Sequence, residues 1–84
     1  MAYKILYKAS VKSDLKKIPK LEVKRILNKI ESDLGKNPNK GELLKGKFQR
    51  LYSYRISVYR VIYVKTVDGG VLVLRISHRK DVYK

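Results

Sequence analysis

The hydrophobic repeat of this chain changes period at Leu34, and that change dictates the fold class. Before it, Val11, Leu15 and Ile18 recur at i, i+4 and i+7, and Val23, Ile26, Leu27, Ile30 and Leu34 recur at i, i+3, i+4, i+7 and i+11. Each set places its apolar side chains on one stripe of a helix. Ser10 stands in front of the first stripe as the expected N-cap, Pro19 cannot continue that helix, and Gly35 occupies the expected C′ position behind the second, with Pro38 just beyond. Almost nothing joins the two helices, so an antiparallel hairpin is expected. Residues 35–46 hold three of the five glycines and one of the two prolines, and read as a loop with a short turn at 42–44.

From Phe48 onward the pattern is that of strands. Tyr52, Tyr54, Ile56 and Val58 open a run of aromatic and β-branched residues, and 59–65 is a strong strand. Asp68-Gly69-Gly70 supplies the positive φ angles of a two-residue hairpin turn, and 71–76 is an almost purely apolar strand expected near the middle of the sheet. At the other end of the chain, Tyr3, Ile5 and Tyr7 alternate with Lys4, Leu6 and Lys8, a strand that opens the fold. The expected class is α+β: an N-terminal strand, an antiparallel helix hairpin, then a three-stranded antiparallel meander, with the helices on one face of the sheet. Eighty-four residues make one domain, 1–84, with one small core.

Charge decides the class of partner. Lysine and arginine number 21 against 7 aspartates and glutamates, a net charge of +14, far beyond what solubility requires. Self-repulsion at that charge destabilises a small fold unless something balances it, so a polyanion or an acidic protein partner is expected. With no cysteine there is no disulfide, thiolate metal site or Cys nucleophile, and a reducing cytoplasm is the natural compartment. No apolar run has the length of a signal peptide or a membrane span, so no membrane partner is expected.

The candidates for chemistry lie in the second half. Asp14, Glu22, Glu31, Asp33, Glu42, Asp68 and Asp81 are scattered, without the spacing of a carboxylate dyad or a metal site, and no Gly-rich phosphate loop is present. Neither metal nor cofactor is therefore expected. What remains is Arg55, Arg60, Arg75, Arg79, the sole histidine His78, and the tyrosines. Arg60 shares strand parity with Val58, Ile62 and Val64, which aims it at apolar surroundings where a guanidinium requires an anion. That anion is either a carboxylate, Asp81 or Asp33, or a phosphate. Tyr52, Tyr54 and Tyr59 suit cross-strand packing better than base stacking. Lys16, Lys17, Lys20, Lys24, Lys29 and Lys36 form a charged helix face, whereas Lys45, Lys47 and Arg50 lie next to the candidate arginines and are the better contacts for a polyanion.

Three segments, Leu44-Lys45-Gly46, the strand pair containing Tyr59-Arg60-Val61-Ile62-Tyr63, and Ile76-Ser77-His78-Arg79-Lys80-Asp81-Val82-Tyr83, resemble the RelE/ParE toxin superfamily, nearest its RelE-like branch. The likeness extends over essentially the whole chain. It implies a toxin of a type II toxin–antitoxin pair: a metal-independent endoribonuclease that cuts messenger RNA in the ribosomal A site by attack of the 2′-hydroxyl. The resemblance assigns Arg60 to the scissile phosphate, Arg79 to a second cationic contact, Tyr83 to substrate orientation or proton transfer, and Arg55 to a basic position on the preceding strand. His78 is a further RNA-binding candidate, as acid or base. Two departures stand out: Ser53 occupies a second basic position, and Ser57-Val58 replaces a common Gly-Asp pair. The implied partners are an acidic antitoxin, the ribosome with its messenger and ribosomal RNA, and operator DNA only through the antitoxin. Two alternatives remain: a ParE-like inhibitor of DNA gyrase, against which Arg60, Arg79 and Tyr83 argue, and a catalytically weakened member acting only through antitoxin and DNA binding.

Overall fold

A computed structural model describes residues 3–44 and 51–78. The chain forms β1 (Ile5–Tyr7), α1 (Ala9–Lys16), α2 (Lys20–Lys29) with a π-helical turn at its end (Ile30–Leu34), β2 (Glu42–Leu43), β3 (Tyr52–Ile56), β4 (Tyr59–Lys65) and β5 (Val71–His78). The strands make one sheet in the order β1-β5-β4-β3-β2. Every pairing is antiparallel except that of β1 with β5, where the first strand returns beside the last. The helices cover one face. Val11, Ile18, Ile26, Ile30 and Leu34 from the helical segment meet Ile56, Val61, Tyr63, Val71, Val73 and Ile76 from the sheet to form the core. The α+β architecture is the expected one, with β3, β4 and β5 as the meander.

Local details depart from the pattern, each for a physical reason. The segment expected to turn at 42–44 instead contributes β2, which pairs Glu42 with Ser53 and Leu43 with Tyr52 and so extends the sheet edge. The second helix does not stay α-helical to Leu34: its last turn widens, Gly35 N–H donates to Ile30 O at 3.2 Å, and Gly35 keeps a right-handed φ of −66° rather than a left-handed cap. The Asp-Gly-Gly turn is longer than two residues. Thr66 N–H donates to Gly70 O at 3.0 Å, leaving Val67, Asp68 and Gly69 as the loop, with Gly69 at φ +88°.

The two-residue turn lies elsewhere, at Ser57-Val58 between the paired Ile56 and Tyr59. Ser57 there adopts φ +56°, a position where glycine is preferred. Ser57→Gly is therefore expected to stabilise the chain by about 0.5–1 kcal/mol, the relief of left-handed strain less the greater freedom of an unfolded glycine. A rise in the urea midpoint checks this; an unchanged or lower midpoint contradicts it.

A bulge fixes which side of β5 is apolar. Ile62 pairs with Arg75 but Tyr63 pairs with Val73, so Leu74 is the extra residue. Strict alternation would carry Val71, Val73 and Arg75 into the core. The bulge shifts the parity, so Ile76 is buried instead and Arg75 stays exposed.

The same stretch of β5 lacks a neighbouring strand, because β1 reaches only to Val73. Side chains of α1 replace it. Ser10, which lies within α1 and not at its cap, donates from Oγ to Leu74 O at 2.8 Å. One turn later, Asp14 Oδ2 accepts from Ile76 N–H at 3.0 Å. The helix thereby satisfies backbone groups that a bare edge would leave open.

Candidate functional site

Among the described residues the helices cover one face of the sheet and leave the other open, without helices, and the parity of β4 sorts the arginines between them. Val61 and Tyr63 are buried beneath the helices. Arg60, Ile62 and Val64 therefore point to the opposite, open face. As its parity indicates, Arg60 shares its face with the half-buried Ile62 and Val64; that face lies away from the helical core, and Arg60 is itself half-buried there with its Nε enclosed. Directly across from Arg60 on β3 is Arg55, and directly across on β5 is Ser77. The next row is Ser53, Ile62 and Arg75.

Two guanidinium side chains directly opposite one another repel, and such pairs destabilise a sheet by themselves. Asp33, one of the carboxylates expected to balance Arg60, is engaged elsewhere. It accepts the Tyr54 hydroxyl and stands 3.6 Å from Lys40 and 3.9 Å from Lys29. The Arg55–Arg60 row, flanked by the Ser53 and Ser77 hydroxyls, has the composition of an anion-binding surface. Among the described residues, no group of three or more His, Asp or Glu side chains gathers in a way that could hold a metal ion.

His78 is placed apart from this row. It pairs with Tyr59, one residue away from the Arg60–Ser77 pair, and alternation puts it on the other side of the strand. Its ring meets that of Tyr59 edge to face, with centroids 5.8 Å apart and planes at 79°. Together with Asp14, Lys17, Ile18 and Arg75 they line a cleft of about 350 Å3 that Ser77 also borders. Arg75 is fixed there by Asp14, with Nε to Oδ2 at 3.0 Å and Nη2 to Oδ1 at 3.2 Å. Sequence reasoning missed Ser77 and this clamp. The available signal was a polar pair, Ser10 and Asp14, at i and i+4 beside the apolar Val11.

Tyr52, Tyr54 and Tyr63 are structural. Tyr63 is buried, donates to Pro38 O at 2.6 Å and accepts from Gly41 N–H at 3.0 Å. A Cβ on Gly41 would lie 2.5 Å from that hydroxyl, which explains the glycine. Tyr52 stacks on Tyr63 at 5.2 Å, with Lys65 Nζ 5.4 Å from its ring centroid. Burial pushes Tyr63 up, and burial together with the bond to Asp33 pushes Tyr54 up to about 12.

That bond, with the two lysines, holds Asp33 below its ordinary 3.8 despite the opposing effect of burial. A depressed folded pKa contributes stability that is present above pH 3.8 and lost as pH falls through the folded value. Tyr54→Phe is accordingly expected to lower the melting temperature at pH 6, and that difference is expected to narrow as pH falls below 3.8 and Asp33 protonates in both proteins. A difference that is constant across acid pH contradicts this coupling.

Arg79, Tyr83, Lys45, Lys47 and Arg50, and the alternative carboxylate Asp81, lie outside the described residues.

With this geometry in place, three comparisons bear on the chain. A family model described as the ParE toxin of the type II toxin–antitoxin system parDE matches residues 5–83. The toxin RelG of Mycobacterium tuberculosis is 27% identical over 86 residues, covering 100% of this chain and 99% of RelG. The fold matches the toxin–antitoxin complex RelBE2 of Mycobacterium tuberculosis with a TM-score of 0.87 at 25% identity, over 96% of this chain and 95% of the other. It also matches the RelB–RelE antitoxin–toxin complex of Methanococcus jannaschii with a TM-score of 0.69 at 28% identity, over 93% and 94% of the two chains.

Proposed function

The chain belongs to the ParE toxin family of type II toxin–antitoxin systems, within the RelE/ParE superfamily, and on that premise we propose that it is a metal-independent endoribonuclease that cuts messenger RNA in the ribosomal A site. The observation that carries this reading is the Arg55–Arg60 pair, directly opposed on the open sheet face with Ser77 beside it.

In this reaction the 2′-oxygen attacks the adjacent phosphorus and gives up its proton to a base. The bond from phosphorus to the 5′-oxygen breaks, and that oxygen takes a proton from an acid. The products are a 2′,3′-cyclic phosphate and a 5′-hydroxyl. The phosphorane between them carries extra negative charge, and fixed cations aimed at it lower the barrier. Arg60 and Arg55 have that role, with Arg79 as the further cation. Tyr83 orients the substrate or moves the proton. A tyrosine base needs its pKa lowered by nearby cations, whereas Tyr54 and Tyr63 are shifted the other way and are committed to packing. Lys45, Lys47 and Arg50 hold RNA beside the site.

The natural inhibitor is an acidic antitoxin that balances the +14 charge, as the matched complexes pair toxin with antitoxin. Operator DNA is reached through that antitoxin alone. The site of action is the cytoplasm, where the ribosome is; no described helix is long and apolar enough to cross a membrane.

The name of the matching family favours a second reading, an inhibitor of DNA gyrase on the same fold. One experiment separates the two. The protein is added to a cell-free translation reaction, messenger ends are mapped by primer extension, and gyrase-dependent DNA cleavage is assayed in parallel. Cuts in phase with the ribosome that vanish with Arg60→Ala are the expected result. Intact message with trapped, cleaved DNA overturns it in favour of the gyrase reading.

A further inference from the structure

The cleft between the end of β5 and α1 has no part in the phosphate chemistry assigned to the opposed arginines, yet its walls suit a ligand. Its volume of about 350 Å3 falls within the range of small-ligand sites, which starts at roughly 300 Å3. Tyr59 and His78 present aromatic surfaces at 79° to one another. The bidentate bond to Asp14 holds the Arg75 guanidinium in a fixed plane. Aromatic rings and guanidinium planes are the surfaces on which unstacked RNA bases lie.

Charge selects the base over the phosphate. Asp14 and Arg75 neutralise one another at 3.0 Å, so the pair adds little net positive charge to the cleft beside that of Lys17. The open face instead sets two guanidinium side chains opposite each other. Ser77 connects the two regions: it is the cross-strand partner of Arg60 and also borders the cleft. To reach the cleft, a strand of RNA whose phosphate lies on the arginine row has to round the β5 edge at Ser77.

We propose that this cleft takes up one unstacked base of the RNA, from a nucleotide flanking the scissile phosphate, with Tyr59, His78 and the clamped guanidinium of Arg75 as its stacking surfaces. The proposal rests on the RNA-cleaving reading for its biological meaning. It makes the cleft the part of the toxin that senses which nucleotides border the cut.

The test uses the full chain carrying Arg60→Ala, so that nothing is cleaved, and follows the aromatic ring signals of His78 and Tyr59 by NMR. Adenosine, guanosine, cytidine and uridine 5′-monophosphates are titrated separately, and inorganic phosphate is the control. Both rings are expected to shift saturably with at least one nucleotide and to stay in place with phosphate. Arg75→Lys, which keeps the charge and loses the plane, is expected to weaken that binding about tenfold. An equal response to inorganic phosphate overturns the proposal, as do shifts confined to Ser53 and Arg55 with both rings unmoved. If the wild-type toxin leaves ribosome-bound message intact while the rings still answer to nucleotides, the cleft stands and the nuclease reading falls. If message is cut and neither ring responds, the cleft proposal falls alone.

Discussion

Arg60→Met is expected to lower the rate of messenger cleavage on the ribosome by about 10²–10³-fold, the cost of removing one positioned cation or donor from a transition state of this kind. Methionine keeps most of the aliphatic stem and removes the guanidinium with its charge and donors. Arg60 and Arg55 are cross-strand partners, so the melting temperature of Arg60→Met is measured alongside to show that the variant is folded when its rate is compared. Cleavage retained in Arg60→Met, measured as a single-turnover rate, contradicts the assignment.

The largest effect on stability is expected one strand away, where α1 meets β5, from Asp14→Ala. The Asp14 side chain is 8% exposed and accepts bonds from Ile76 N–H and twice from Arg75. Its loss leaves a buried backbone donor without its acceptor and a guanidinium without its counter-charge. The expected cost is about 2–4 kcal/mol, or roughly 10–25 °C in melting temperature. Arg75→Ala is expected to cost less, about 1 kcal/mol, because the Arg75 side chain is 59% exposed and water replaces much of what it gives. Asp14→Asn falls between the two, since an amide oxygen can still accept from Ile76 N–H. Thermal denaturation of the four proteins checks the order. Equal losses for Asp14→Ala and Arg75→Ala would show that the ion pair, and not the strand edge, is what Asp14 maintains.

Apart from β2, which reads as a turn, the element order and most core positions were legible in the sequence, because both helical stripes and the strand alternation are strong. What escaped was where one residue changes the count. The period of β4 is plain, but Tyr59, Val61, Tyr63 and Arg60, Ile62, Val64 are both apolar enough to be read as the inner set. Only the helices above the sheet decide between them, and they leave Arg60 on the open side. In β5 the extra residue, Leu74, reverses the parity between Val73 and Ile76, a change no alternation rule anticipates. Ser10 looked like a helix cap because it is the residue type that caps helices. Its hydroxyl is instead bonded 64 residues away, to the strand edge.

Arg55 and Arg60 were named from the sequence, and the register brings them face to face. His78 was named beside them, and the pleat turns it away toward Tyr59. Ser53 now has a place: it lies in the row next to the arginines, where a hydroxyl offers a phosphate a neutral hydrogen bond.

Reaction chemistry tests the central claim most directly. A messenger programmed on the ribosome is given a single 2′-deoxynucleotide at the position 5′ of the cut, and the fragments from unmodified message are analysed for their new 3′ ends. A toxin that works through the 2′-hydroxyl, with the Arg55–Arg60 row bearing the phosphorane charge, leaves a 2′,3′-cyclic phosphate on the unmodified message and fails at the deoxy position. Undiminished cutting at the deoxy position, or a free 3′-hydroxyl on the product, contradicts it.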